Sequence, residues 1–484
     1  MYLGLDLGTS GMRGILVTED QGIIAEAEAP YPTERPHPGW SEQDPANWVN
    51  ACTTVIQALL EQSPAAMQDL KAIATAGQMH GATLLDKNGT VLRPSILWND
   101  TRSASEAAGL DAHSGVRQAS GNIVFPGFTA PKLCWVSNNE PSIFSQVAKV
   151  LLPKDYLTFW LSGHYVSDMS DSAGTSWLDV GRRTWSNDLL KAGGMHPDQM
   201  PALLEGSALV GALRPALAEE FGFRHEVLIV AGGGDNAAAA CGIGALNEGD
   251  GFVSLGTSGV LLAARDKFAP KPESAVHTFC HAIPDKWYQM GVILAATDSL
   301  NWLSRNLGEK PDALTGNLGP RIHGPGKAQF LPYVSGERTP HNDSAIRGAL
   351  LGIDVSMGHQ EMTQAVLEGV AFAFRDNLDA LRSTGAELES AIAIGGGARS
   401  LYWVELIATV LGMPLHLPEK GDFGAALGAA RLAICGHTGA LPETVMTKPS
   451  IAQTIDPRAD LNDAYEEAYA SFKTLYPGIK ALTS

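Results

Sequence analysis

The sequence is poor in cysteine and has no long hydrophobic run. Its cysteines are Cys52, Cys134, Cys241, Cys280 and Cys435. They are scattered, odd in number and never in a Cys-x-x-Cys spacing, so we predict neither a disulfide framework nor a zinc site. A membrane helix needs about 20 consecutive apolar residues, and the best candidate, 227–246, is broken by Gly-Gly-Gly-Asp-Asn. Asp6 stands where the hydrophobic part of a signal peptide would begin. We therefore expect a soluble cytoplasmic protein.

Basic residues are also in the minority. There are 34 lysines and arginines against 52 aspartates and glutamates, a formal net charge of -18, which argues against nucleic acid or an anionic membrane as the partner. A nucleotide is not excluded, because local loops and a divalent cation can supply the positive field. The chain has no Gly-x-x-x-x-Gly-Lys-[Ser/Thr] loop, and no Gly-x-Gly-x-x-Gly follows a predicted strand. A bound nucleotide would need another kind of phosphate loop.

A repeated segment is the strongest feature that the sequence does contain. Leu7-Gly8-Thr9-Ser10-Gly11 returns unchanged at 255–259, close to half a chain later. Both copies lie between apolar runs, which predicts strand, tight turn and strand. Backbone N–H groups and Thr or Ser hydroxyls in such a turn suit phosphate oxygens. Asp6 precedes the first copy and Ser254 the second. We predict two half-domains that face each other across a nucleotide and metal site, with the metal on the Asp6 side.

The order of the predicted elements is α/β. Strands are predicted at 3–7, 12–17, 23–29, 71–76, 227–231 and 391–394, with a hairpin about Asn88-Gly89. Helices are predicted after Asp44-Pro45 and at 361–381, 401–411 and 421–433. From Asn99 to about Tyr165 we expect a helical, loop-rich insertion that helps to build a substrate cleft. Length and repeat together predict two domains, 1–245 and 246–484.

Two carboxylates are candidate catalytic groups. Asp6 ends an apolar strand beside a phosphate-ready turn, where a carboxylate can hold Mg²⁺ directly or through water; a surface or capping Asp is the alternative. Asp235 follows three glycines at a predicted helix start, and Asp is also a favoured helix N-cap. Three glycines are entropically costly unless the backbone passes close to something. We therefore favour Asp235 as the base of a phosphoryl transfer, with Asn236 bonding a neighbouring hydroxyl.

Further candidates lie in predicted loops. Gly395-Gly396-Gly397, between a strand and a helix, lets a flat ligand approach the backbone. Met79-His80 follows a strand, Trp98-Asn99-Asp100 lies near Arg102, and 336–341 reads Gly-Glu-Arg-Thr-Pro-His. Polar groups beside tryptophan are typical of sugar sites, so Trp98 and Asn99 are candidate substrate contacts. Solvated loop residues, and a structural histidine at position 80, are the alternatives.

Taken together, these motifs resemble a known family. Asp6 with Leu-Gly-Thr-Ser-Gly, the second Leu-Gly-Thr-Ser-Gly, Gly-Gly-Gly-Asp-Asn at 232–236 and the glycines at 395–397 resemble the FGGY carbohydrate kinases of the sugar kinase, actin and Hsp70 superfamily. Segments 127–139 and 348–369 are similar to the two family signatures, and the resemblance extends over roughly 2–433. Met79-His80-Gly81 stands where a member acting on glycerol would carry Arg-Glu, which argues against glycerol.

The resemblance implies two actin-like, ribonuclease H-like α/β domains of duplicated topology around a central cleft, the first binding mainly sugar and the second mainly nucleotide. It implies ATP and Mg²⁺, with Asp235 as catalytic base and Asp6 as the metal-side carboxylate, both reaching the metal through water. The residues that it places around the ligands are Thr9, Ser10, Gly256, Thr257 and Ser258 for the phosphates, Gly396, Gly397 and Ala398 for the adenine nucleotide, and Met79, His80, Asp235 and Asn236 for the sugar.

The expected reaction is phosphorylation of the terminal hydroxyl of a ketopentose. Segments 77–81, 96–100, 151–157, 167–175 and 330–341 are most similar to those of family members that act on D-xylulose, so D-xylulose 5-phosphate is the expected product. L-Ribulose, L-xylulose, gluconate and a tetritol stay open as substrates, as does an actin- or Hsp70-like ATPase that acts on no sugar. Sugar and ATP are the expected partners, without nucleic acid or membrane, and a homodimer is a family-level expectation.

Overall fold

This structure, a computed structural model, describes residues 1–419 and 424–483, which form the mixed α/β fold that the sequence predicts. The strands are β1 Tyr2–Leu7, β2 Gly11–Val17, β3 Ile23–Pro30, β4 Glu42–Gln43, β5 Ala72–Gly77, β6 Thr83–Leu85, β7 Ser95–Ile96, β8 Lys149–Leu151, β9 Val166–Asp168, β10 Leu178–Asp179, β11 Thr184–Trp185, β12 Ala202–Leu204, β13 Leu209–Ala212, β14 Leu228–Gly234, β15 Gly251–Leu255, β16 Gly259–Arg265, β17 His277–Cys280, β18 Trp287–Ile293, β19 Gln329–Leu331, β20 Ala349–Leu351, β21 Ala391–Ile394, β22 Leu415–Pro418 and β23 Ile451–Ile455.

The helices are α1 Pro45–Gln62, α2 Pro64–Met67, α3 Ala104–Asp111, α4 Val116–Ser120, α5 Thr129–Asn139, α6 Pro141–Phe144, α7 Pro153–Ser162, α8 Met169–Ser172, α9 Asn187–Ala192, α10 Pro215–Glu220, α11 Asp235–Ile243, α12 Thr297–Leu307, α13 Pro311–Gly316, α14 His359–Ser383, α15 Leu401–Leu411, α16 Ala425–Thr438, α17 Pro442–Val445, α18 Asn462–Phe472 and α19 Leu475–Thr483. Short 3₁₀ turns lie at Ala173–Thr175, Pro197–Gln199, Pro272–Ser274, Gly396–Arg399 and Ala459–Leu461.

Each half of the chain builds one large sheet, and the two sheets share a strand order. The first is β13-β14-β5-β1-β2-β3 and the second is β23-β22-β21-β15-β16-β18-β17. In the first sheet, β1, β2 and β3 form an antiparallel meander, β5 and β14 extend it in parallel from β1, and β13 is an antiparallel edge strand. In the second sheet, the meander is β15, β16 and β18, the parallel strands are β21 and β22, and the antiparallel edge strand is β23. The second sheet adds β17 at the meander edge. The duplicated topology predicted from the repeated segment is therefore confirmed.

The two copies of the repeated segment occupy equivalent positions in these sheets. Each is the turn of the hairpin that begins the meander, between β1 and β2 and between β15 and β16. Asp6 pairs across the first hairpin with Arg13, whereas Ser254 pairs across the second with Val260. Asp6 and Ser254 therefore occupy equivalent positions near the ends of two equivalent strands, β1 and β15, and only the first position carries a carboxylate.

Two helices rich in small residues cross between the sheets. α11 and α16 approach so closely that a Cβ on Gly428 would lie 1.7 Å from the carbonyl oxygen of Ala238. α16 also lies against β1, where a Cβ on Gly4 would be 1.8 Å from the carbonyl oxygen of Ala426. Any side chain at either glycine would push the backbones apart. The helix predicted at 421–433 begins at Ala425, and residues 421–423 lie outside the described part of the chain.

Each of these two helices packs against the sheet of the opposite half of the chain. In sequence α16 lies between β22 and β23 of the second sheet, but it packs against β1, β5 and β14 of the first sheet. Residues of α11 share a hydrophobic cluster with Phe252 and Ile392 of the second sheet. The boundary that we predict between residues 245 and 246 stays a prediction, since elements on either side of it complete the packing of the opposite sheet.

The predicted insertion forms short helices and strands above the first sheet. β6 pairs with β8, which was not predicted. The hairpin about Asn88-Gly89 closes, with the Asp86 carboxylate accepting from the backbone N–H groups of Asn88 and Thr90 at 2.8 Å each. Its second arm is a single bridge at Val91 rather than a strand. Of the helices described, none combines the length and the apolar character that crossing a bilayer requires.

Candidate active site

The three glycines before Asp235 belong to a strand. β14 continues through Gly234, and α11 begins directly at Asp235. Gly232 has a φ of 79°, and a Cβ there would lie 1.7 Å from the carbonyl oxygen of Thr75 on β5, so only glycine fits. The pairing of β14 with β5 shifts register between Val230 and Gly233. This irregularity re-aims the end of the strand that presents Asp235.

Asp235 has a fixed orientation and a raised pKa. Its Oδ1 accepts hydrogen bonds from the backbone N–H of Asn236 (2.7 Å) and from Asn236 Nδ2 (2.9 Å). Burial raises the pKa of Asp235 to about 6, although both hydrogen bonds oppose this change. A carboxyl that loses its proton just below neutral pH is well matched to general-base catalysis.

Asp6, at the end of β1, lies within electrostatic reach of Asp235. Burial and the charge of Asp235 raise the pKa of Asp6 to about 7, while Arg13 acts to lower it. Asp6 Oδ1 is buried and has no hydrogen-bond partner within the part of the chain that the structure describes. Two neighbouring carboxylates, one with a free buried oxygen, form a donor set that suits a hard divalent cation.

The first repeated turn is held in place through Thr9. Trp98 Nε1 donates to Thr9 Oγ1 (3.0 Å), and Thr9 Oγ1 donates to Gln78 Oε1 (3.4 Å). Gln43 Nε2 donates to the Thr9 carbonyl (2.7 Å). Ser10, in contrast, is exposed. Thr9 therefore fixes the turn, while the Ser10 hydroxyl is open to a ligand.

The second repeated turn is fixed by the segment that leads into α12. The Gly256 carbonyl accepts from the N–H of Thr297 (3.0 Å) and from its Oγ1 (2.8 Å). The Thr257 carbonyl accepts from the N–H of Ala296 (2.9 Å). Thr257 is exposed and Ser258 partly exposed, so both hydroxyls can be reached from solvent.

The third glycine-rich segment packs on the strand that leads into this second turn. Gly395 has a φ of 89°, and a Cβ there would lie 2.8 Å from the backbone of Leu255. A Cβ on Gly397 would lie 2.9 Å from Leu255 Cβ, whereas one on Gly396 would meet no atom within 4 Å. Gly396 therefore presents bare backbone to open space, as a flat ligand requires.

Two adjoining cavities follow these segments. The larger, about 800 Å³, has among its lining residues Arg13, Asp235, Asn236, Ser254 and Ala398. The smaller, about 660 Å³, has among its lining residues Thr297, Asn301, Gly397, Tyr402 and Trp403. Gly396, Arg399 and Leu401 line both. Among the described residues, the predicted site residues other than Asp235, Asn236, Gly396, Gly397 and Ala398 do not line these two cavities.

Met79 lies against the end of β14, directly before Asp235, and His80 follows it in the same loop. A Cβ on Gly234 would be 3.0 Å from Met79 Cγ. His80 has a φ of 70°, its Nδ1 is 2.8 Å from the carbonyl oxygen of Gly174, and its carbonyl accepts from Lys132 Nζ at 2.8 Å. Burial lowers the pKa of His80 to about 3, so its ring is neutral. A non-glycine residue held in the left-handed region by several contacts is typical of functional sites.

The polar residues beside Trp98 either form ion pairs inside the loop or keep a free hydrogen-bonding atom. Arg102 is paired with Asp100 and Glu42, both at 2.6 Å, and is almost fully buried, so these charges hold the loop together. Trp98 Nε1 already donates a hydrogen bond to Thr9 Oγ1, whereas Asn99 Oδ1 is buried without a hydrogen-bond partner among the described residues. Trp98 therefore supports the first turn, and Asn99 keeps a free acceptor.

Sequence reasoning missed Arg13 and Arg399. Arg13 lines the larger cavity and lies 2.5 Å from Glu26; a charged residue inside an otherwise apolar strand was the available signal. Arg399 lines both cavities directly after the glycine-rich segment. The predicted roles of the remaining site residues stay predictions at this point.

Comparisons with known proteins agree with this geometry. Residues 1–242 match the N-terminal domain of the FGGY family of carbohydrate kinases, and 251–437 match its C-terminal domain. A xylulose kinase of Escherichia coli K12 is 46% identical over 482 residues, covering 98% of both chains. A xylulose kinase of Klebsiella pneumoniae is 48% identical over 435 residues, covering 90% of this chain and 89% of that protein. The crystal structure of a "xyloylose kinase" from Brucella ovis is 56% identical, with a TM-score of 0.97 and 99% of both chains covered.

Proposed function

We propose that this chain, which belongs to the FGGY family of carbohydrate kinases, transfers the γ-phosphoryl group of ATP to the terminal hydroxyl of D-xylulose and so forms D-xylulose 5-phosphate. The observation that carries phosphoryl transfer is that two adjoining cavities share Gly396, Arg399 and Leu401 as lining residues, and that Asp235 lines the larger of them. The choice of sugar is supported by likeness, over almost the whole chain, to proteins named xylulose kinase.

ATP would lie along both cavities. The smaller cavity, which residues of α12, α13 and α15 line, would hold the adenine ring. The bare backbone at Gly396 allows the nucleotide to pass into the larger cavity. Within the described part of the chain, the two repeated turns line neither cavity, but the exposed side chains of Ser10 and Thr257 would hold phosphate oxygens that extend beyond the larger one. The nucleotide site is therefore assigned mainly to residues 246–484.

Asp235 would act as the general base. With its pKa near 6, it is mostly ionised at pH 7.5 and can accept the proton of the attacking sugar hydroxyl. Its two hydrogen bonds from Asn236 hold Oδ1, which fixes the direction of the carboxylate. Met79 and His80 would contact the sugar, and a neutral imidazole can bond a hydroxyl without adding charge.

The acidic residues fit Mg²⁺. Asp6 has a buried oxygen without a partner among the described residues, and Asp235 lies near enough to raise its pKa. We assign Asp6 and Asp235 to the cation, through water. When bound, Mg²⁺ would neutralise negative charge on the β- and γ-phosphates. The sugar site is assigned mainly to residues 1–245, and a homodimer stays a prediction.

A coupled ADP-release assay across a substrate panel tests this proposal. The panel consists of D-xylulose, L-ribulose, L-xylulose, gluconate and a tetritol, compared by kcat/KM. We expect D-xylulose to exceed each of the others by at least about 10-fold, because a site that bonds each hydroxyl leaves polar groups unpaired with the wrong isomer. A higher value for another sugar refutes the choice of D-xylulose. ATP hydrolysis that no sugar changes would favour an actin- or Hsp70-like ATPase instead.

A further inference from the structure

A group of buried charged residues lies behind the proposed site and has no part in the mechanism above. It consists of Lys154, Asp155, Asp168 and Asp171, whose side chains are at most 1% exposed. Lys154 Nζ lies 2.8 Å from Asp168 Oδ1 and 4.0 Å from Asp171 Oδ2, and it also contacts Asp155. The Lys154 ammonium already supplies a cation to these carboxyls, so we do not interpret the group as a metal site.

These residues come from two segments that meet only in the folded chain. Lys154 is the second residue of α7, and Asp168 is the N-cap of α8. Asp168 Oδ2 accepts hydrogen bonds from the backbone N–H groups of Ser170 (2.7 Å) and Asp171 (3.4 Å). The Lys154 ammonium lies 2.8 Å from the other oxygen, Oδ1, and offsets the buried charge of the carboxylate. The Asp168 carboxylate is therefore fixed from both sides.

A hydroxyl connects this group to the strand that presents Asp235. Ser170 Oγ donates to Asp168 Oδ2 and accepts from the backbone N–H of Gly234 at 3.0 Å. Gly234 is the residue directly before Asp235. Ser170 is fully buried, so no solvent replaces either bond if the hydroxyl is removed. A continuous chain of polar contacts thus leads from Lys154 to the backbone at Asp235.

The same group supports the neighbouring strand end. Gly77, the last residue of β5, pairs with Gly234 of β14, and a Cβ on Gly77 would lie 3.1 Å from Lys154 Cβ. β5 leads into the loop of Met79 and His80. The α7 residue that neutralises Asp168 therefore also packs under the strand that carries the proposed sugar contacts.

We propose that Lys154, Asp168 and Ser170 form a positioning network that holds the Gly234 backbone and thereby orients the carboxylate of Asp235 for proton transfer. The network touches neither sugar nor ATP and acts only through Gly234. This inference rests on the proposed function, because it concerns the base of that reaction.

Ser170→Ala tests the network by removing one hydroxyl. We expect kcat with D-xylulose to fall about 10- to 100-fold, since a small misplacement of a reacting group has effects of this size, while KM for ATP stays unchanged. A purely structural defect would weaken ATP binding as well, so a lower kcat with an unchanged KM for ATP distinguishes positioning of the base from a general loss of packing.

Ser172→Ala is the matched control. Ser172 is as fully buried as Ser170 and lies on the same helix, but its hydroxyl donates to Ser167 Oγ (2.8 Å) rather than joining Gly234. Its loss should leave kcat within about twofold of wild type and KM for ATP unchanged. If Ser170→Ala and Ser172→Ala have the same kcat and the same KM for ATP, the network does not position the base.

Two further variants separate the possible failures. If Ser170→Ala does not fold, Asp168→Asn is the alternative test, because it keeps the shape of the side chain. We expect this variant to have a lower kcat and an unchanged KM for ATP. A kcat equal to that of wild type would refute the network. Asp235→Asn separates this proposal from the proposed function. An inactive Asp235→Asn with a fully active Ser170→Ala refutes the network alone, whereas an active Asp235→Asn removes the base assignment and the network with it.

Discussion

Replacement of Asp235 by Asn removes a carboxylate while preserving the local structure. An Asn oxygen can accept the same two hydrogen bonds that Asn236 donates to Asp235 Oδ1. What is lost is the capacity to accept a proton near neutral pH. General-base catalysis contributes roughly 10²- to 10⁴-fold, so kcat should fall by that factor, which corresponds to about 3–5 kcal/mol in the activation barrier.

The same substitution should make the protein more stable at neutral pH. Burial raises the pKa of Asp235 from an ordinary 3.8 to about 6. Because the folded-state pKa is the higher one, the folded protein holds this proton more tightly, and its stability falls as the pH rises from about 4 to above 6. With about 1.4 kcal/mol for each pKa unit, the ionised carboxylate destabilises the fold by about 3 kcal/mol at pH 7.5. Asp235→Asn removes this penalty above pH 6 and changes little below pH 4.

The measurements are ADP release with saturating D-xylulose and thermal unfolding at pH 7.5 and pH 4. We expect lower kcat together with a higher Tm at pH 7.5 and no gain in Tm at pH 4. Asp376→Asn is the matched control: burial also raises the pKa of Asp376 to about 6, but this residue lies on α14, where Tyr469 donates to it at 2.6 Å. That variant should gain Tm without losing kcat. A kcat for Asp235→Asn within tenfold of wild type, or a Tm gain equal at both pH values, refutes the reasoning.

Three other predictions follow from the same structure. Wild-type kcat/KM should fall as the pH drops from 7.5 to 5, because Asp235, with its pKa near 6, becomes protonated; a flat profile contradicts its role. His80→Ala should raise KM for the sugar at least about 10-fold and leave KM for ATP unchanged, as expected when a binding contact is removed from one substrate only. Gly428→Ala should lower Tm, since its Cβ would lie 1.7 Å from the Ala238 carbonyl oxygen, an overpacking that costs about 1–3 kcal/mol. Gly478→Ala, with no atom within 4 Å, should not lower it.

The sequence was most informative where the pattern is local. The repeated turns, the strands around them and α15 could be predicted because glycine, capping residues and apolar periodicity act within a few positions. The same reasoning ended the predicted strand at residue 231, although the glycines at 232–234 continue β14. Glycine in a strand interior is weakly predicted, and here the close approach of the Thr75 carbonyl oxygen, 1.7 Å from a Cβ on Gly232, is what requires it.

Partners distant in sequence were the least predictable. Arg13 was overlooked because a charged residue in an apolar strand does not by itself show which segments of the folded chain form a cavity beside it. The positioning network was overlooked for the same reason, as Ser170 and Gly234 are 64 positions apart. The role of α16 on the first sheet also depends on a long-range contact, the approach of Gly4 to Ala426.

By itself the sequence determined the family, the α/β class, the duplication and the candidacy of Asp6 and Asp235, since each depends on short motifs or on one internal repeat. Only the tertiary structure decided the strand order, the packing of α11 and α16 between the sheets, and the position of two cavities on either side of Gly396. It also decided the pKa of Asp235, because desolvation depends on what is packed around a carboxylate. Backbone preferences act over a few residues, whereas burial and charge coupling depend on segments that only folding brings together.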